Sequence, residues 1–407
     1  MYFKIKNINM VANFLNALTA LFLVLNCQSV WQKSLDKNYH IYEICFILII
    51  IESLYTTFYW NKSKKISLYG IKIILFYIIL IILIRILSVD LDNIVKFLAR
   101  FLIFPFFMLH FSSQAPIKQK LGIFYWFFNW TAIIAWVTTI CWLLSIIGII
   151  NETSFMNVDW FGRYSSYYNI YFSSPYQCID WLQTSVRRNV GIFTEGPMFM
   201  FALIISLLFS DILRDYYNIK FWKVTGIILA LLSIASITGY IALLFIIGIK
   251  LISYFKNIKI QILFGVICFI FILIGIFILL FLKQNTASYI ARFDDYIAGI
   301  KCWLNSPLYG NGYENIELIK TFMSDNRSWN QGFSNSIFSI LSYGGVLFAI
   351  PYLVPVFRGM YYGFKKLDYI IFQLSFIFTL LYFTVISYTF YLNFAIWAFL
   401  MCKYKKI

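Results

Sequence analysis

The sequence predicts an all-α integral membrane protein: a polytopic bundle of about twelve transmembrane helices carrying two large extracytoplasmic loops. Three observations lead there. The 407 residues are 61% hydrophobic and 12% charged, with a mean hydropathy of +0.79; soluble domains average about 45–50% apolar and about 25% charged. Apolar runs of roughly 20 residues, the length that crosses a bilayer, recur along the whole chain. The basic residues gather in short segments between those runs, which is the placement of topology-setting loops. The net charge of +16 therefore does not imply a nucleic-acid partner.

In order, the predicted spans lie near 11–31, 40–60, 66–87, 94–111, 121–150, 189–210, 222–236, 237–254, 259–282, 336–357, 369–388 and 389–402. The run 222–254 is too long for one helix, and Ser236, Thr238 and Gly239 supply a tight turn that divides it. Met1 to Asn9 is polar and the run after it has the length of a span, so no cleavable signal peptide is expected. With Lys4 and Lys6 in the cytoplasm, every predicted inner loop carries Lys or Arg, from Lys62, Lys64 and Lys65 through Arg358, Lys365 and Lys366 to the tail Lys403, Lys405 and Lys406. The short outer link 88–93 carries aspartates instead. Both termini are thus expected in the cytoplasm.

Two predicted outer loops, 151–187 and 283–335, exceed the usual connection length and are rich in Trp and Tyr, as working loops are. The first runs into R-R-N-V-G-I-F-T-E-G-P, which holds Arg187, Arg188 and Glu195. Gly196 and Pro197 suit a helix start, with Pro197 at the first helical position. A helix N-terminus beside arginines suits an anion, and arginine suits phosphate in particular. The plainer alternative is an Arg–Glu pair that anchors the helix at the interface. In the second loop Arg292 is the leading candidate, with Asp294 and Asp295 beside it. Gly310 and Gly312 bracket Asn311 and imply a tight turn with exposed amides. Asn335 opens the next span, either as an N-cap or as a site residue.

Within the spans, Asp92, Lys96 and Arg100 share one helix face, and Arg85 ends the preceding span on the same side. Snorkelling accounts for Lys96 but poorly for Arg100, nearly two turns in. Tyr240, in the turn Thr238-Gly239-Tyr240, is placed to reach an outer vestibule or to join an interfacial aromatic belt. Aromatic side chains of the loops, among them Trp160, Phe161, Tyr164, Tyr176, Trp181, Trp303, Tyr313 and Trp329, suit sugar faces, and interfacial anchoring explains some of them equally well. The seven cysteines stand singly, and His40 and His110 lie far apart, so no metal site is expected. A disulfide between Cys178 and Cys302 stays open. No phosphate-binding loop or dinucleotide fingerprint is present, and no cofactor is expected.

These motifs resemble a family. The run R-R-N-V-G-I-F-T-E-G-P, then S-I-T-G-Y-I-A-L-L, R-F-D-D-Y, S-P-L-Y-G-N-G and G-F-S-N-S-I-F-S-I-L-S-Y-G-G-V-L, resemble the O-antigen ligase/polymerase family over roughly residues 187–350. The resemblance implies a metal-independent membrane glycosyltransferase of the bacterial inner membrane. Its donor would be an undecaprenyl-pyrophosphate-linked oligosaccharide, transferred to the sugar hydroxyl of another lipid-linked repeat unit. Arg188 and Arg292 would grip the pyrophosphate and Glu195 would orient an arginine or the acceptor; Arg187, Arg100, Tyr240, Asn335 and Asn311 are further candidates for substrate contact. Ligases of the family carry a histidine just before the asparagine aligned with Asn335. Ser334 stands there in this chain, which favours a repeat-unit polymerase over a ligase and leaves the general base unassigned. Glu195 is the nearest candidate, although pairing with arginine lowers a carboxyl's pKa and weakens it as a base. Membrane lipid and a chain-length regulator protein are the implied partners. A lipid-linked oligosaccharide transporter is the rival from another class, disfavoured because the charges gather on one side and no internal repeat is visible.

Overall fold

A computed structural model describes residues 2–60, 67–87, 94–159, 162–179, 186–254, 287–327 and 332–402. Its helices are α1 Tyr2–Leu25, α2 Ile41–Trp60, α3 Leu68–Leu87, α4 Ile94–Phe101, α5 Ile103–Ser112, α6 Ile117–Lys120, α7 Gly122–Ile147, α8 Gly196–Leu213, α9 Phe221–Ile234, α10 Ile237–Tyr254, α11 Ala287–Asn305, α12 Ile316–Lys320, α13 Ser336–Lys365, α14 Tyr369–Thr384 and α15 Tyr391–Cys402. Among the described residues five of these are long and apolar enough to cross a membrane: α2, α3, α7, α8 and α13. The expectation of about twelve spans is therefore corrected. The chain is a helical protein with several membrane-length apolar helices, as a membrane protein has, but not a twelve-span bundle. The predicted span 259–282 lies outside the described residues, as do Asp92, Trp160, Phe161, Trp181, Trp329 and the side chain of Lys96.

The miscount has physical causes. Hydropathy registers removal from water, not the direction of the chain. Helix α8 is 94% buried by protein while α7 is only 28% buried, yet both read as equally apolar runs. Breaks are invisible to it as well. The run 94–111 divides at Leu102 because Pro105, in the first turn of α5, has no N–H for the carbonyl of Phe101. The Tyr77 hydroxyl donates to that carbonyl instead, at 3.1 Å. Helix α13 is broken at Gly344 and Gly345, the latter at φ +62. Helix α1 stops at Leu25, and the apolar stretch after it leaves the bundle to pair elsewhere.

The stretch 151–187, expected as a loop, holds a three-stranded antiparallel sheet of β1 Ser154–Val158, β2 Gly162–Tyr167 and β3 Tyr171–Ser173. Residues 29–36 border it: Ser34 bridges Val158, Leu35 N donates to Asn157 O at 2.9 Å, and Asp36 accepts from the Asn157 amide and side chain. Val30, Met156, Val158, Tyr164 and Phe172 form a small core beneath the sheet, with Trp31 edge-on to Phe172. The stretch 283–335 is likewise mostly ordered structure, with α11 and α12 inside it.

Two buried links tie the helices. His110 Nε2 lies 2.8 Å from the Lys120 carbonyl and its Nδ1 lies 3.0 Å from Glu52 Oε2, joining α5 to α6 and α2. The turn Pro307–Gly312 seats on the α13 break: Val346 N donates to Pro307 O at 2.9 Å and Asn311 N to Ser342 O at 2.8 Å. A Cβ on Gly310 would fall 2.2 Å from Gly344 N, and one on Gly345 would fall 2.3 Å from the Leu308 carbonyl carbon. The G-N-G and Y-G-G motifs are therefore two halves of one backbone-on-backbone contact, which side chains would prevent.

Candidate functional site

The run 187–197 is positioned by its neighbours on all sides. Asn189 directs its side-chain nitrogen to Ser233 Oγ at 2.9 Å and accepts the Gly191 amide at 2.9 Å. Gly191, at φ +63, passes so close to Phe199 that a Cβ would meet its ring at 2.9 Å. Phe172 N donates to Gly191 O, Val30 N to Ile192 O, and Thr194 N to Gln28 O. The Tyr164 hydroxyl donates to Thr194 O. Sheet and α1 extension together fix the loop that enters α8.

Glu195 is the N-cap of α8, so the helix starts one residue earlier than expected and Pro197 takes its second position. Its carbonyl accepts the Met198 and Phe199 amides, while its carboxyl makes no capping bond. The residue is half-buried, and two guanidinium groups, Arg292 and Arg188, act on its carboxyl electrostatically. Burial pushes its pKa above the ordinary carboxylate value, and Arg292 and Arg188 pull it back only in part. The sequence argument had the opposite sign, because pairing was foreseen and burial was not.

Arg188 donates from Nε and Nη2 to the Cys178 carbonyl at 3.2 and 2.6 Å, and its stem lies over Gly196. The carbonyl fixes the direction of the guanidinium. Arg187 turns the other way, 39% exposed, with Nη1 3.5 Å from Glu152 and 3.3 Å from Ser173 Oγ. It braces the sheet.

Arg292 stands on α11 and lines a small cleft with Asp295, Tyr296, Ser334, Asn335, Phe383 and Thr384. Its Nη1 reaches the Thr384 carbonyl at 3.5 Å. Asp294 and Asp295, foreseen beside Arg292, bind Arg327: Nη1 lies 2.6 Å from Asp295 Oδ1 and 3.4 Å from Asp294 Oδ2. Arg327 also donates to the carbonyls of Ala291 and Gly332 at 2.8 Å each. Ser334 donates to Asp295 from its amide and its hydroxyl, at 3.0 and 2.6 Å. Burial raises the Asp295 pKa despite those donors.

The remaining candidates divide. Asn335 does cap α13, accepting Phe338 N at 3.1 Å, yet its Nδ2 bonds Phe383 O and it lines the Arg292 cleft. Asn311 closes the turn seated on α13, donating to Cys302 O and Ser342 O. Tyr240 donates to Leu232 O at 3.0 Å, stapling α10 to the end of α9. Arg100 is held elsewhere, buried against Glu314 at 2.7 Å and the Tyr313 hydroxyl. Cys178 and Cys302 are both free thiols. Among the described residues no group of three or more His, Cys, Asp or Glu side chains could hold a metal ion.

Arg188 and Arg292 thus both act on Glu195 electrostatically, Asn335 lines the cleft beside Arg292, and Arg100, Arg187, Tyr240 and Asn311 are engaged in other contacts. Sequence reasoning missed Arg327 and Glu314 as partners. Each pairs with a residue distant in sequence, and no local spacing signals it. No family model matches the chain, and neither the curated proteins nor the solved structures contain a match.

Proposed function

We propose that the chain is a membrane glycosyltransferase that uses a polyprenyl-pyrophosphate-linked glycan as donor, acting as a repeat-unit polymerase of bacterial surface polysaccharide. The observation that carries the reading is the Glu195 carboxyl at the start of α8, its pKa raised by burial and acted on by two arginines from separate segments, one of which, Arg188, packs its stem on the adjacent Gly196. The motif resemblance supplies the substrate class. Arg188 and Arg292 would bind the pyrophosphate, and Glu195 would take the proton of the acceptor hydroxyl. The hydroxyl oxygen attacks the anomeric carbon, the carbon–oxygen bond to pyrophosphate breaks, and lipid pyrophosphate leaves with its charge balanced by the arginines. A raised pKa suits a base that works near neutrality. The working location would be the outer face of the bacterial inner membrane, with both termini in the cytoplasm and a chain-length regulator as partner.

A hydrogen bond to a charged group is worth about 1.5–3 kcal/mol, so an arginine contact made in the transition state is worth roughly 10- to 150-fold in rate. The test is a gel of surface polysaccharide from cells lacking the gene, complemented with wild type, Arg188→Gln, Arg292→Gln or Glu195→Gln. Long ladders from wild type, and core carrying a single repeat from the variants, are expected. Full ladders from both arginine variants would refute the clamp. Lipid-linked polymer that never reaches the core would assign the chain to the ligase branch instead.

A further inference from the structure

Helix α11 is buried on one side only. Ala291, Asp295, Ala298 and Cys302 are buried, and Ser342 of α13 donates its hydroxyl to the Gly299 carbonyl at 3.3 Å. Ile290, Phe293, Ile297, Ile300 and Leu304 point the other way and are exposed. Their steps of 3, 4, 3 and 4 residues set the five side chains in one stripe along the helix. The proposed reaction has no use for that stripe.

The stripe does not end with the helix. Leu308, also exposed, follows it in the turn whose backbone is bonded to α13: Val346 N donates to Pro307 O at 2.9 Å and Leu347 N to Leu308 O at 3.3 Å. Val346 opens the outward stripe of α13 itself, continued by Val354, Phe357, Tyr361 and Phe364. That helix is long and apolar enough to cross a membrane, and its outward stripe is the side it turns to lipid. The exposed face of α11 is continuous with it.

A second copy of the chain is the rival cover, because the same spacing makes a seam between helices. Such seams carry charged residues on their flanks. Here one flank, Tyr289, Tyr296 and Trp303, is wholly aromatic, while the other holds Asp294 and Lys301. Tyrosine and tryptophan gather at the membrane–water interface. The Tyr296 hydroxyl donates to Phe383 O at 2.6 Å and Trp303 Nε1 to Pro307 O at 3.0 Å, so both rings keep their polar ends satisfied by the protein. An apolar stripe between polar and amphipathic flanks is the pattern of a helix lying in the plane of a bilayer.

We propose that α11 is an interfacial helix docked on the bilayer, its stripe from Ile290 to Leu304 sunk to the acyl-chain boundary and its aromatic flank at headgroup level, in the leaflet met by the Val346 end of α13. The proposal concerns the outward face of α11 and stands whether or not the glycosyltransferase reading does.

The test uses the full chain in nanodiscs of phosphatidylethanolamine and phosphatidylglycerol, carrying Cys141→Ser, Cys178→Ser and Cys268→Ser so that the remaining native thiols are the buried ones. A nitroxide is attached at Ile290→Cys, Ile297→Cys or Leu304→Cys on the stripe, at Lys301→Cys on its polar flank, and at Val354→Cys as the lipid-facing standard. Collision with oxygen, which concentrates in lipid, is compared with collision with a water-soluble nickel chelate. The stripe positions are expected to favour oxygen as Val354 does, with an oxygen-to-nickel ratio severalfold above that at Lys301. A ratio equal to that at Lys301 would put the stripe in water and overturn the proposal. Protection from both reagents, the mark of a protein cover, would overturn it too, and spin–spin broadening between labelled chains would name a second copy as that cover. Each stripe position is read separately, so a variant that misfolds leaves the other two to decide.

Discussion

Arg327→Ala tests the scaffold of the Arg292 cleft most directly. The substitution removes the 2.6 Å partner of Asp295 Oδ1 and the donor to two carbonyls 2.8 Å away. Both members of the pair are almost fully buried. Breaking a buried pair from one side costs about 3–5 kcal/mol, because the other charge is left uncompensated. At roughly 2 °C per kcal/mol for a long chain, Tm in detergent should fall by about 6–10 °C. Adding Asp295→Asn should restore a large share, since the stranded charge is gone and Asn still offers an oxygen to Ser334; the double-mutant cycle should couple by about 1–3 kcal/mol. Asp294→Asn should cost under about 1 kcal/mol, its contact being longer and more exposed. The pH dependence has a definite sign. Burial raises the Asp295 pKa in the folded state, so protonation favours the fold, and stability falls as pH rises from the unfolded value of about 3.9 through the folded one. Without Arg327 the carboxyl rises further, so Arg327→Ala should recover stability on acidification more than wild type does. A loss below about 1 kcal/mol, or strict additivity of the two substitutions, would refute this account.

Three further outcomes are expected. If Glu195 is the base it must be ionised to act; its pKa is raised by burial and restrained by Arg292 and Arg188, so the acid limb of the pH–rate profile should lie above the ordinary carboxylate range and move higher still in Arg292→Gln, measured as lipid-linked transfer against pH. Gly345→Ala should abolish stable folding, because its Cβ would enter the Leu308 carbonyl at φ +62, whereas Gly148→Ala, at φ +80 with nothing within 4 Å, should cost only the left-handed penalty of about 1–2 kcal/mol; expression and Tm of the pair separate clash from backbone strain. Tyr240→Phe should leave transfer unchanged and lower stability by about 0.5–1.5 kcal/mol, since its hydroxyl serves the Leu232 carbonyl.

What could be seen in the sequence follows from how far each interaction reaches along the chain. The division between α9 and α10 was legible to within a few residues, but the left-handed residue that makes it is Ala235, at φ +53, while Thr238 and Gly239, expected in the turn, lie inside α10. The helix start at Glu195 was legible to within one residue, since Gly196 and Pro197 announce it locally. The sheet was not, because β1 to β3 are stabilised by residues 29–36, more than a hundred positions away, and their own alternation is short. The same distance hides every ion pair that decides a side chain's role. Arg100 looked free for substrate because Glu314 lies 214 positions later; Asp295 looked like a partner for Arg292 because only the fold delivers Arg327 to it. Glycine pairs are an intermediate case. G-N-G and Y-G-G each advertise a backbone that tolerates no Cβ, but that they serve each other follows only when Pro307–Gly312 is laid on the α13 break. A charge in an apolar chain thus marks a place where something is bound, and the fold decides whether the bound group is another residue. By that criterion Glu195, under the field of two arginines and left without a capping bond, is the member of the original set with most to offer a substrate.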